Sequence, residues 1–243
     1  MSTDLPISLI SAAVALSSAG LSLYGIRLAN RLQGERENQN KEQKAEELVA
    51  RYRDPLLRAG FDLQSRLFNI VRQEFLTVYY IDGKDVEREY AVENTLYVLG
   101  QYLGWVEILR QDVQFLDLRN IELNAKLVER LEAISSCLLT DTIRDPVMRL
   151  FSGEQRAIGE VMASATDGNC RREVIGYATF VTMREDAAFS RWFALLQSNV
   201  IQLADEPGIH DERLVELQHR LVDLIEFLDP DAEHFPRRHR TKI

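Results

Sequence analysis

Hydrophobic and polar positions divide the chain near residue 26. From Leu5 to Ile26 run 22 consecutive residues without Asp, Glu, Lys, Arg or His. As a helix rising about 1.5 Å per residue, this run matches the roughly 30 Å hydrocarbon core of a bilayer. From Arg27 on, charged residues are frequent and apolar ones recur at helical intervals. Asp54-Pro55 predicts a helix start, followed by Leu63, Leu67, Ile70, Val71 and Val78, with a turn at Asp82-Gly83. The strongest helical pattern spans about 86–118, where Leu96, Leu99, Leu103, Val106, Val113 and Leu116 form one stripe. Ile121, Leu127, Leu131, Ile134 and Leu138 predict a third helix.

Asp145-Pro146 suggests a further start, and Ser152-x-x-Gln155 has the form of a capping box opening a helix through Ala163. Residues 174–183 mix β-branched and aromatic side chains, which fit a strand or a helix equally. Ala187–Leu203 reads as one helix. Leu214, Leu217, Leu221, Leu224 and Leu228 mark the last, stopped by Asp229-Pro230. The expected fold is all-α: a single N-terminal transmembrane helix followed by a soluble, multi-helix, bundle-like domain. Its divisions are 1–4 outside, 5–26 in the membrane, 27–53 a charged connector, 54–229 the helical domain and 230–243 a basic, mobile tail.

The flanks of the apolar run bear on that assignment. A cleaved signal peptide opens with a basic region, and here no Lys or Arg precedes Arg27. A buried helix of a water-soluble core is the alternative, kept open by the serines. Arg27, Arg31 and Arg36 follow the run, whereas Asp4 precedes it, so the positive-inside rule predicts the N-terminus outside and the large C-terminal part in the cytoplasm. Ser8, Ser11, Ala12, Ala15, Ser18, Ala19 and Ser22 recur three and four apart. A face of small residues permits close helix–helix approach in lipid, so self-association or a membrane partner is expected there.

The connector carries seven basic and five acidic residues between Arg27 and Arg53 and has no apolar heptad, so a long coiled coil is not expected. Arg27 and Arg31 are candidate contacts to anionic headgroups, as are Arg237, Arg238 and Arg240 in the tail, at about 1 kcal/mol per charge. Gly100 and Gly104, one turn apart, predict a place where another helix packs closely and are candidate partner contacts.

Composition narrows the function classes. The chain of 243 residues is 46% hydrophobic, enough for a core, and its net charge of −9 argues against a nucleic-acid binder. Two cysteines, Cys137 and Cys170, have no paired metal or redox spacing; reduced thiols are expected, one disulfide being the alternative. No phosphate-binding loop, nucleophile elbow or zinc-protease motif occurs. Glu216-x-x-His219 has the di-iron bundle form, but it is a single pair, and the Leu214/Leu217/Leu221 stripe would turn His219 toward solvent. Glu93 and Glu107 are 14 positions apart on one helix and cannot converge. Arg156, Arg171 and Arg172 near Glu154 and Glu160 read as surface ion pairs, and Trp105 and Tyr97 as core or rim residues. No cofactor or metal is expected.

The expected partners are the bilayer, a second copy, or a membrane or cytoplasmic protein. The expected role is a membrane-anchored, non-enzymatic interaction or scaffolding module. The alternatives are an enzyme using Glu93, Glu107, Arg110 or Arg156 in a polar pocket, and an effector that oligomerises through its anchor.

Overall fold

The computed structural model describes residues 31, 33, 52–113, 121–165 and 172–243, and residues 51–243 form one compact unit. The run 5–26, its small-residue face and Arg27 lie outside the described residues, as do Arg171 and Cys170; Arg31 is helical and exposed. Among the described residues no helix is long and apolar enough to cross a membrane.

The unit is built chiefly of helices. Helix α1 covers 52–72. It buries Leu56, Leu57, Leu63 and Leu67, each contributing about 2 kcal/mol of hydrophobic stabilisation. The chain then breaks: Glu74 adopts φ +51°. It resumes through a π-helical turn, Thr77–Ile81. That break resets the periodicity, so Val78, expected on the α1 stripe, is exposed. Arg66 lies 3.9 Å from the centre of the Phe75 ring and donates to Asn94, fastening α1 to the helix that follows.

Helix α2, Asp85–Val113, is the central element. One stripe understates it. Ala91, Val98, Tyr102 and Ile108 are buried beside the expected Leu96, Leu99 and Leu103, because a helix surrounded by neighbours buries more than one face. Helix α3, Ile121–Leu139, and helix α4, Ser152–Met162, follow. The expected Ser152 cap is displaced by one residue. Phe151 is the N-cap, its N–H donates to Glu154 at 2.8 Å, and Gln155 turns into the core instead.

Ala163–Ala165 (β1) pairs antiparallel with Arg172–Val174 (β2). Helices α5 (Tyr177–Met183) and α6 (Ala187–Ser190) come next. The ambiguous stretch 174–183 thus ends a strand and then becomes a helix. Phe180 is fully buried against Phe189 and Phe193, with ring centres 5.8 and 5.2 Å away, and this packing outweighs the β-propensity of its neighbours. The single helix expected from Ala187 is divided by a turn at 191–193 before α7, Ala194–Asp205. Helix α8, Asp211–Leu228, buries its whole leucine stripe.

The C-terminal segment departs from expectation. Residues 230–243 pack along α1 and α8. Phe235 stacks on Phe61 at 3.8 Å. Gln218, wholly buried, donates to Gln64 and to the Thr241 carbonyl and accepts from the Ile243 N–H. Arg240, expected to meet lipid headgroups, is buried and paired with Asp229. A basic composition reads as a solvated tail, but Asp229 turns the chain back by accepting from the N–H groups of Glu233, His234 and Phe235. Arg237 and Arg238 remain exposed.

Candidate functional site

A cavity of about 540 Å³ opens between α2, α3 and α4. Three- and four-residue steps on α2 bring Tyr102, Leu103, Val106, Leu109 and Arg110 to it. Helix α3 supplies Leu127, Val128, Leu131, Ile134 and Leu138, and α4 supplies Gln155 and Arg156.

The cavity exists because two contacts are close and the third is not. Helices α2 and α4 touch at glycine: a Cβ on Gly159 would lie 2.7 Å from Glu107 Cβ and 2.8 Å from the Leu103 carbonyl oxygen. Gly104 likewise faces Met162 and Val174, and Gly100 faces Phe193 and Met162. Both glycines are buried within the unit, and the close neighbours at them are residues of this same chain. Helices α3 and α4 are joined through Gln155, whose amide donates to the carbonyls of Ser135 and Leu150 while its oxygen accepts from the Ser135 hydroxyl at 2.7 Å. Helix α3 otherwise packs on α8. Its Leu127 and Leu131 are therefore only half-buried on the side toward α2.

Glu107 is the charged group at the α2–α4 contact, with 3% of its surface exposed. Its carboxylate accepts from Arg110 at 2.6 and 2.8 Å and from Gln111 at 2.5 Å. Burial alone would push its pKa up. The hydrogen bonds from Arg110 and Gln111 and the charges of Arg110 and Arg156 outweigh burial and hold it below the usual carboxylate range. Arg110 is correspondingly raised, first by its hydrogen bond to Glu107. A carboxylate so held stays ionised at neutral pH and is a poor proton shuttle. The arrangement suits binding better than acid–base turnover.

Of the polar residues named for an alternative enzymatic pocket, Glu107, Arg110 and Arg156 line this one cavity. Glu93 does not: it pairs with Arg184 at 3.1 Å on another part of α2. Arg172 is exposed on β2. Trp105 and Tyr97 are half-buried against the core. The Glu216/His219 pair diverges, Glu216 binding Arg220 and His219 meeting the Ile243 carbonyl at 3.0 Å. His219 is thus half-buried beneath the C-terminus rather than turned to solvent. Among the described residues no cluster of His, Cys, Asp and Glu is arranged to hold a metal ion. Cys137 is buried, and desolvation pushes its thiol up to about 11, which silences it as a nucleophile.

Sequence reasoning passed over three groups. Gly159 carried a signal, since a glycine inside a helical pattern often marks close packing. Arg213 carried none, yet it is 1% exposed and donates to the carbonyls of Cys137, Thr140, Ile143, Asp145 and Val147. His210 lies between two carboxylates, Nδ1 at 2.6 Å from Asp145 and Nε2 at 2.5 Å from Glu206. No family model, curated protein or solved structure matches the chain.

Proposed function

We propose that this protein is a membrane-tethered helical module that acts by binding. The observation that carries the reading is the uncharged run Leu5–Ile26 directly ahead of a charged chain, a length suited to a bilayer. In this reading the run is a single span with the N-terminus outside and residues 51–243 in the cytoplasm. Its small-residue face brings two copies, or a copy and a membrane partner, together. Sharing a membrane raises the local concentration of whatever the helical unit meets, so weak contacts become effective. Arg27, Arg31, Arg237 and Arg238 are the cations this reading offers to headgroups.

Fractionation of cells tests it. The chain should stay in the pellet through alkaline carbonate and come out with detergent. Recovery in the carbonate wash overturns the tether. Crosslinking in intact membranes should then give a dimer that Ala15→Leu weakens.

A second reading, catalysis in the α2–α3–α4 cavity, is favoured by the meeting of Glu107, Arg110 and Arg156 there. It requires turnover that Glu107→Gln abolishes. The ionised, hydrogen-bonded state of Glu107 supports the binding reading over this one.

A further inference from the structure

The chemistry of the cavity selects among ligands. Its walls are methyl and methylene groups from Leu103, Val106, Leu109, Leu127, Leu131 and Leu138, and its volume of about 540 Å³ falls in the roughly 300–1,000 Å³ range of small-molecule sites. Val128, beside these leucines, keeps 47% of its surface exposed although the helix is otherwise packed on α8. Apolar surface left open in this way gains by being covered.

The rim is charged unevenly. On the α2 side Arg110 turns one edge of its guanidinium to Glu107. On α4, Arg156 makes no hydrogen bond or ion pair among the described residues, while its charge helps hold Glu107 ionised. Glu132 lies on the α3 side of the same rim. A small polar anion would leave the leucines wet. A neutral hydrocarbon would leave the Arg156 guanidinium without a partner. A flexible apolar chain ending in one anion meets both demands, with its head between α2 and α4, away from Glu132.

We propose that this cavity binds a long-chain carboxylate, a free fatty acid, with the chain between Val106 and Leu131 and the carboxylate on Arg156, Arg110 being the second cation. The inference goes beyond the tether and does not require it, because the site lies wholly within residues 51–243. A fatty acid is both available from a bilayer and able to reach a protein in water.

Full-length protein in phosphatidylcholine vesicles, or in buffer if fractionation shows it is not anchored, is given a fatty acid bearing a mid-chain diazirine. It is then irradiated, and labelled peptides are mapped by mass spectrometry. Saturable labelling is expected on α2 and α3, displaced by unlabelled hexadecanoate and far less by hexadecanol. Leu131→Phe and Val106→Phe fill the cavity from opposite walls, and either should abolish the α2 and α3 label. Arg156→Glu should weaken labelling about tenfold, the scale of losing one charge-assisted hydrogen bond. Because Arg156 is exposed, this variant carries the test if neither filled variant keeps the wild-type melting profile. Label confined to peptides of 5–26, or α2 and α3 labelling indifferent to Arg156→Glu and to the filled variants, overturns the site. Equal displacement by hexadecanol overturns the carboxylate.

Discussion

Two arginines, Arg213 and Arg156, show how differently one fold can use the same side chain. Arg213 is buried and gives its donors to five backbone carbonyls at the end of α3 and in the segment after it. Arg156 is exposed at the rim of an apolar cavity, without a hydrogen bond among the described residues. The first is consumed by the fold; the second faces solvent. A guanidinium whose hydrogen bonds go to carbonyls and not to a carboxylate still carries its charge at a desolvation cost, and burial lowers the pKa of Arg213, with the nearby charges of Asp145 and Glu212 acting against it. What offsets that cost is the number of oxygens satisfied, including those at a helix C-terminus, where a cation is favoured.

The largest expected effect follows at Arg213. Arg213→Met leaves five carbonyls without their donor and should cost about 3 kcal/mol or more in urea unfolding. A loss below about 1 kcal/mol would mean that water replaces the side chain freely. Next comes Gly159→Ala, which forces apart the α2–α4 contact that shapes the cavity. A Cβ at 2.7–2.8 Å from side chain and backbone should cost about 1–3 kcal/mol. It should also alter ligand access, which an exposed glycine change such as Gly153→Ala would not.

Asp229 comes third, and its effect is read as pH dependence. Burial would raise its pKa, but the N–H groups of Phe235, His234 and Glu233 and the charge of Arg240 depress it below the ordinary value. A depressed carboxylate contributes stability that is present above its unfolded pKa of about 3.9 and is lost as pH falls through the folded value. Protection of the amides of residues 233–243 against hydrogen exchange, taken relative to the intrinsic rate at each pH, should therefore fall in acid, and Asp229→Asn should lower it at neutral pH.

His210 has the opposite sign. Hydrogen bonds to Glu206 and then Asp145 raise its pKa. Its contribution is complete below about 6.5 and fades as pH rises through the folded value. Melting temperature should thus decline above neutrality more in wild type than in His210→Gln. The smallest effect belongs to Arg156→Ala, which should leave stability within about 0.5 kcal/mol, completing the contrast with Arg213.

Much of the helical architecture is legible along the chain, and its limits have physical causes. The α8 leucines announce themselves because an amphipathic surface helix needs one apolar stripe, and all five are buried. Helix α2 is less transparent: burial on several faces dilutes any single periodicity. The tail misleads because Arg240 reads as solvent-loving until Asp229, eleven positions earlier, is brought beside it by a chain reversal that includes Ala232 at φ +57°. Glu107, Arg110 and Arg156 can be named as candidates from charge alone. Their meeting at one cavity depends on Gly159, through which α4 reaches α2.

The grip of Arg213 has a practical corollary. Residues 140–150 have no regular secondary structure, the sort of irregular connector that proteases ordinarily open first. Four of its backbone oxygens, at Thr140, Ile143, Asp145 and Val147, are clasped by one guanidinium. Trypsin has two sites there, Arg144 and Arg149, and the clasped backbone cannot extend into a protease cleft without letting go. Cutting at these bonds should keep pace with global opening of the molecule, turning an irregular connector into a gauge of the whole unit's integrity.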